Sequence, residues 1–244
     1  MLANYVNTLY NCLTFGGSLK MKKLSLAFFT SFILMILFLI ISGGRGYTKD
    51  NLEYKSQVNT QKEMYYFENL QKSVVQIITV RNSGGSFGTG FFIDDKKTIV
   101  TNYHVVRDAE KIFITIREDE YAYRAKIVAF DEKNDIAIIT SDDEFDYKKL
   151  PLSFDVKKNE NIYTCGYSTN YTVTSGKVID TNAQYKNNSY IDITNVVYSG
   201  NSGGPALNEN GEVVGIVTLG DSVSTSLVPT YKLYDLIFNL GYSI

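Results

Sequence analysis

Residues 196–207 of the chain read VVYSGNSGGPAL, and the segment GNSGGP at residues 200–205 is the most informative part of the sequence. A serine hydroxyl attacks a substrate efficiently only when a general base removes its proton and backbone N–H groups hold the oxyanion that forms. The glycines around Ser202 let the backbone bend tightly, so that its own N–H group and that of Gly200 can point at one spot. The segment therefore predicts a nucleophilic serine that needs a histidine nearby.

The chain contains a single histidine, His104, in the segment TNYHVV at residues 101–106. A catalytic histidine is usually oriented by a carboxylate. Asp135, in NDIAII at residues 134–139, opens a short apolar run, which is where a partly buried acid would lie. The order His, Asp, Ser along the chain is that of chymotrypsin-type enzymes and differs from that of subtilisins and α/β-hydrolases.

Five motifs, in order within about residues 68–244, resemble those of trypsin-like serine peptidases of the HtrA (DegP) type. They are GTGFFI at 88–93, TNYHVV at 101–106, NDIA at 134–137, TVTSGKV at 172–178 and GNSGGP at 200–205. The resemblance implies an all-β, chymotrypsin-like fold of two six-stranded antiparallel β-barrels. It also implies that His104 is the general base, Asp135 orients it and Ser202 is the nucleophile. The oxyanion hole would consist of the N–H groups of Gly200 and Ser202.

Short apolar runs separated by turn signals independently predict a β-barrel or β-sandwich. The predicted strands are 74–80, 91–93, 98–101, 112–116, 125–130 and 136–140, then 161–167, 172–180, 190–193, 204–208, 213–218 and 227–228. Residues 82–86 are predicted as a turn-rich loop. After Pro229, apolar residues at helical spacing predict a terminal helix: Leu233, Leu236, Ile237 and Leu240. We therefore expect a protease domain over residues 73–244, with barrels at about 73–150 and 151–244.

Residues 24–42 are uncharged and mostly apolar, and this run is long enough to cross a bilayer as a helix. A cleaved signal peptide is the alternative, but the run exceeds the usual apolar length and lacks an Ala-x-Ala site. The lysines just before the run, together with the resemblance, favour a single-pass anchor with the protease domain outside the cytoplasm. Residues 1–23 would then be cytoplasmic, and residues 43–72 would form a linker with a short helix. If the run were cleaved, the protein would be secreted.

The composition argues against several other classes of protein. The net charge is −2 at pH 7, and no basic patch is visible, so nucleic acid is not an expected partner. One histidine and two separated cysteines offer no metal site, and we expect no cofactor. Cys12 precedes the apolar run and Cys165 follows it, so no disulfide is expected if that run spans a membrane. Cys165 lies in an alternating segment and is predicted to be a small buried hydrophobic residue.

By resemblance, six residues shape the pocket for the substrate side chain: Val196, Val197, Val217, Thr218, Leu219 and Gly220. Val196 stands where a basic substrate side chain would require an acid, and no second histidine exists for a glutamate-specific pocket. We therefore expect cleavage after small or medium apolar residues. By the same resemblance, Thr218 is expected to form a hydrogen bond near Asp135.

Two departures from related patterns affect the expected regulation. Asn201 stands where zymogen-type trypsins carry an aspartate, so activation by N-terminal cleavage is not expected. The chain ends soon after the terminal helix, so we expect no PDZ domain. Together the residues predict a membrane-anchored serine endopeptidase acting on proteins or peptides, with its oligomeric state left open. The alternative is a catalytically silent or ligand-gated trypsin-fold module that binds proteins.

Overall fold

The computed structural model describes residues 66, 70–82, 84–94, 97–116, 121–145, 147–220 and 224–239. All of them belong to the compact unit Lys62–Ile244. The predicted membrane segment at 24–42, the N-terminal segment 1–23 and most of the linker at 43–72 lie outside the described residues. Within the described ranges, no helix has the length and apolar character needed to cross a membrane.

The first barrel is built from six antiparallel strands. They are β1 (Val74–Arg81), β2 (Gly84–Phe92), β3 (Thr98–Thr101), β4 (Lys111–Thr115), β5 (Tyr123–Asp131) and β6 (Ile136–Ser141). The strands close in the order β1-β2-β3-β6-β5-β4. A short helix, α1 (Tyr103–Val106), follows β3 and carries the single histidine, and a 3-10 helix (Leu70–Ser73) leads into β1. Neither the length nor the position of α1 was predicted from the sequence.

The second barrel repeats this arrangement. Its strands are β7 (Asn161–Tyr167), β8 (Tyr171–Tyr185), β9 (Asn188–Ile193), β10 (Pro205–Leu207), β11 (Val213–Gly220) and β12 (Thr225–Pro229). They close in the order β10-β11-β12-β9-β8-β7. The helix α2 (Thr230–Asn239) follows and buries Leu233 and Ile237. The predicted pair of six-stranded barrels with a C-terminal helix is therefore confirmed.

Three apolar clusters hold the barrels together. One fills the first barrel, another fills the second barrel, and a third contains residues of both and lies between them. The first four residues of β6 are all apolar, and their burial explains why. Ile136 and Ile138 belong to the cluster between the barrels, whereas Ala137 and Ile139 belong to the interior of the first barrel. Since successive side chains of a strand point to opposite faces, both faces of β6 are buried and no polar alternation is needed.

The predicted loop at 82–86 is wrong over most of its length. Gly84, Gly85 and Ser86 belong to β2 and pair with Arg81, Val80 and Thr79 of β1. Gly84 has a φ of 121°, which favours glycine and lets the chain turn back at once. Pairing along the β-ladder outweighs the low strand propensity of glycine here.

The predicted strand at 172–180 is too short for a similar reason. Strand β8 continues to Tyr185 because it pairs with β9, down to Tyr185 opposite Asn188. The connecting residues Lys186 and Asn187 both have positive φ, 48° and 61°. Two such residues form the tight turn that matches the twist of a hairpin.

Candidate active site

His104 and Asp135 are in direct contact at the edge of the first barrel. His104 Nδ1 lies 2.7 Å from Asp135 Oδ2, and the backbone N–H of His104 donates to Asp135 Oδ1 at 2.9 Å. The imidazole side chain is 39% exposed and the carboxylate 24% exposed. The two contacts fix the ring relative to its own backbone, with Nδ1 facing the acid and Nε2 left for another partner.

Asp135 is held by its backbone as well as by its side chain. Its φ is 57°, a left-handed conformation that aspartate tolerates better than most residues. Its carbonyl oxygen accepts hydrogen bonds from the Asn102 side chain at 2.9 Å and from the backbone N–H of Tyr103 at 3.3 Å. Asn102 is fully buried. The segment just before His104 thus fixes the turn that carries its carboxylate partner.

The second barrel contributes Thr218 to the same carboxylate. Thr218 Oγ1 donates to Asp135 Oδ2 at 2.6 Å, as expected from the resemblance. Burial tends to raise the pKa of Asp135, but the hydrogen bonds from His104 and Thr218 and the nearby imidazole more than compensate. The pKa of Asp135 is therefore held below its ordinary value, so this side chain is a carboxylate at neutral pH.

Helix α1 is fixed at its C-terminal end by Arg81 from β1. The guanidinium donates to Val105 O at 2.8 Å and to Arg107 O at 3.1 Å. The last carbonyl groups of a helix lack partners within the helix, and a cation is favourable there. Arg81 therefore stabilises the one-turn helix that presents His104.

Ser202 lies in the loop that precedes β10, between two glycines of positive φ. Gly200 has a φ of 100° and Gly203 a φ of 88°. A Cβ atom at Gly200 would lie 2.4 Å from Tyr167 O, and one at Gly203 would lie 2.1 Å from Thr89 O. Both positions therefore require glycine for conformation and for space, as the GNSGGP motif suggested.

The same close packing brings the loop that carries Ser202 against the segment that leads to His104. A Cβ atom at Gly203 would also lie 2.3 Å from Thr101 Oγ1 and 3.0 Å from the backbone nitrogen of Asn102. Ser202 is thus one residue from a glycine packed on the chain just before α1. Within the described ranges, no hydrogen bond joins the Ser202 hydroxyl to the His104 ring.

The N–H groups predicted for the oxyanion hole are available. The neighbouring amides of the loop donate within the protein: Asn201 N to Tyr198 O at 3.0 Å and Gly203 N to Val217 O at 2.8 Å. By contrast, the N–H groups of Gly200 and Ser202 donate to no acceptor in the described part of the chain. These two donors remain for an external anion.

The predicted pocket residues fall into two groups. Val217, Thr218, Leu219 and Gly220 lie in β11, where Val217 is buried in the interior of the second barrel. Val196 is 42% exposed, whereas Val197 packs against that interior. A Cβ atom at Gly220 would lie 2.6 Å from Val197 Cγ2, so Val197 fills the space beside this glycine.

Cys165 does not take part in this site. It is free, buried and part of the cluster between the barrels, which confirms its prediction as a small hydrophobic residue. Burial raises the pKa of its thiol to about 12, so the nucleophilic thiolate is scarce at neutral pH. In the ranges that the structure describes, no group of acidic, histidine and cysteine side chains could hold a metal ion.

Three residues around the site were missed by the sequence reasoning: Arg81, Thr89 and Asn102. Thr89 belongs to the GTGFFI motif and Asn102 to TNYHVV, so their positions within motifs were a signal, although no role was assigned. Arg81 carried no signal, because its contact with α1 depends on the register of β1.

Comparisons with known proteins agree with this geometry. The family described as "Trypsin-like peptidase domain" matches residues 88–216. A probable periplasmic serine endoprotease, DegP-like, of Chlamydia trachomatis is 35% identical over 141 residues, covering 54% of this chain and 28% of that protein. Serine protease HTRA1A of Danio rerio is 34% identical over 169 residues, covering 64% of this chain and 35% of that protein.

Among solved structures, the active form of a protease from M. tuberculosis has a similar fold. The TM-score is 0.63 at 21% identity, and the match covers 73% of this chain and 85% of that one. At this identity the likeness concerns the fold alone. The chain spans roughly a third of the length of the curated relatives that it matches.

Proposed function

The chain belongs to the family of trypsin-like peptidase domains, and on that premise we propose that it is a serine endopeptidase with Ser202 as nucleophile, His104 as general base and Asp135 as orienting acid. The observation that carries the proposal is the 2.7 Å contact between His104 Nδ1 and Asp135 Oδ2, together with the packing of the glycine-bounded serine loop on the chain just before α1. The curated relatives named as serine endoproteases support the same activity.

The proposed reaction proceeds through an acyl-enzyme. With Nδ1 donating to Asp135, His104 Nε2 accepts the hydroxyl proton as Ser202 Oγ bonds to the carbonyl carbon of the substrate. The N–H groups of Gly200 and Ser202 hold the resulting oxyanion. The imidazolium then gives its proton to the leaving amine as the peptide C–N bond breaks. Water repeats the sequence on the ester and releases the acid and the free serine.

Where this activity takes place is a further part of the proposal. The DegP-like relative from Chlamydia trachomatis is named as periplasmic, and residues 24–42 have the composition of a membrane segment. We place the protease domain outside the cytoplasm, tethered by that segment and acting on protein or peptide substrates.

We expect the enzyme to cleave after small or medium apolar residues. Val197 packs beside Gly220, which gives the proposed pocket an apolar wall, and Val196 stands where a basic substrate side chain would require an acid. A peptide series varied only at the residue before the scissile bond should give higher kcat/KM for Ala and Val than for Lys or Glu. The variant Val197→Ala should move the preference toward Leu by about tenfold, the size expected for a methylene or two in an apolar pocket. A preference for Lys would contradict this pocket.

The decisive experiment is labelling with a fluorophosphonate, which modifies serines that a general base activates. The native protein should gain one adduct, located at Ser202 by peptide mass spectrometry, and the heat-denatured protein should gain none. The variant Ser202→Ala serves as the negative control. Absence of any adduct on the native protein would remove the proposal.

A ligand-gated binding module is the second candidate, and one observation favours it. No hydrogen bond joins His104 to Ser202 in the described structure, although catalytic hydrogen bonds often tighten only when a substrate binds. Labelling that appears only after a peptide is added would identify gating.

A further inference from the structure

The loop that carries the nucleophile, residues 198–204, is tied to the first barrel through Thr89 of β2. Thr89 Oγ1 donates a hydrogen bond to Gly200 O at 2.7 Å. The backbone N–H of Thr89 donates to Ser202 O at 2.8 Å. Thr89 is fully buried. One residue of the first barrel therefore holds the carbonyl groups on both sides of Asn201.

The direction of the Thr89 hydroxyl is itself determined. Its oxygen accepts a hydrogen bond from the backbone N–H of Tyr167 at 2.9 Å. A hydroxyl carries one proton, and here that proton goes to Gly200 O. The carbonyl oxygen of Thr89 in turn accepts from Thr101 Oγ1 at 2.7 Å. Thr89 thus connects the end of β7, the end of β3 and the nucleophile loop.

Glycines surround this threonine closely. A Cβ atom at Gly166 would lie 3.1 Å from Thr89 Oγ1, and one at Gly204 would lie 3.2 Å from Thr89 Cγ2. Together with the contact between Gly203 and Thr89 O, these distances show that the backbone at three glycines packs closely around Thr89. The side chain has little freedom to move away from Gly200.

We propose that Thr89 is a positioning residue that sets the geometry of the oxyanion hole. Its bonds fix the peptide planes that contain Gly200 O and Ser202 O. The peptide plane that contains the Ser202 N–H group lies between these two planes, and the plane that contains the Gly200 N–H group adjoins the first of them. Both N–H groups are therefore held where neither meets an acceptor in the described chain. The proposal rests on the proposed function, since an oxyanion hole matters only if the serine is acylated.

The kinetic test compares Thr89→Val, which keeps the shape and removes the hydroxyl, with Thr89→Ser, which keeps the hydroxyl. Removing one oxyanion donor costs about 10²–10³ in kcat, and loosening two should cost Thr89→Val roughly 10- to 100-fold. The loss should fall on kcat, with KM within about twofold, because ground-state binding does not use these donors. Thr89→Ser should stay close to the native rate. Thr79→Val is the matched control: Thr79 is also fully buried, and its hydroxyl donates to a backbone carbonyl, Ser86 O, that belongs to β2 and not to the nucleophile loop.

A second readout does not depend on catalysis. In the described structure the amides of Asn201, Gly203 and Gly204 donate to Tyr198 O, Val217 O and Asn201 O, so they report on order in the loop. Hydrogen exchange in the Ser202→Ala background should become faster at these amides in Thr89→Val, while exchange in β1 and β6 stays unchanged. This result would show that the Thr89 hydroxyl orders the loop even if the native protein showed no turnover, so a failure of the proposed function and a failure of the positioning role are distinguishable.

Three outcomes would overturn the inference. One is a kcat for Thr89→Val within twofold of the native value together with unchanged exchange in the loop. Another is a loss of kcat without faster exchange, since the loop would then be held without the hydroxyl. The third is equal impairment of Thr89→Ser and Thr89→Val, which would point to packing rather than to the hydrogen bond.

Discussion

Replacing Ser202 with alanine should lower kcat for a chromogenic peptide by about 10⁶-fold, the size of loss found when a serine protease loses its nucleophile. The substitution removes the only atom positioned to form the acyl-enzyme in the proposed mechanism. The loop should survive it, because its conformation is set by Gly200, Gly203 and the bonds from Thr89. KM should change little, since the substrate contacts remain.

The matched control for this prediction is Ser175→Ala. Ser175 is an exposed residue of β8 in the same barrel, and its replacement should leave kcat and the melting temperature unchanged. Turnover in Ser202→Ala within tenfold of the native rate would show that another group performs the reaction.

The variant Asp135→Asn should lower kcat by about 10⁴-fold, the loss expected when the histidine adopts the wrong tautomer. The geometry indicates how this arises. One carboxylate oxygen accepts the backbone N–H of His104, so the amide oxygen of asparagine must take that place. The amide NH₂ group then faces Nδ1 and donates to it. Nε2 becomes the protonated nitrogen and can no longer accept the proton of Ser202.

Charge alone should not produce this effect. Asp142, whose side chain is 70% exposed and paired with Lys126, provides the control: Asp142→Asn removes the same charge from the first barrel and should keep full activity. Circular dichroism should show both variants folded. Activity in Asp135→Asn within tenfold of the native enzyme would contradict the proposed role of the carboxylate.

The predictions from sequence that held were those that rest on the hydrophobic pattern within a single strand or helix. The apolar runs of β3 and β6 and the helical spacing after Pro229 predicted buried strands and a terminal helix, because burial on both faces or on one stripe leaves a direct trace in the residues. The prediction failed where pairing decided the outcome. Gly84–Ser86 and residues 181–185 become strand through their partners in β1 and β9, and a partner strand is invisible in the local sequence.

The residues of the candidate site also divide into those that the sequence could predict and those that it could not. His104, Asp135 and Ser202 could be selected because each belongs to a short motif with chemical meaning. The residues that hold them could not be assigned, since their contacts join segments far apart. Arg81 reaches the end of α1, and Thr89 reaches a loop more than a hundred positions later. The contact of Arg81 follows from the register of β1 within the first barrel, and that of Thr89 from the docking of the two barrels, and no local pattern specifies either.

The bond between Thr218 of the second barrel and Asp135 of the first has a consequence for biosynthesis. In the proposed mechanism, the base and the acid come from one half of the domain and the nucleophile and the anion donors from the other, so neither half alone could cleave a peptide bond. On this mechanism, a nascent chain emerging N-terminus first would have no proteolytic activity until nearly all of its domain has been made and assembled. Proteolytic activity would thus appear only in completely folded molecules, and damaged or truncated copies would cleave no other protein.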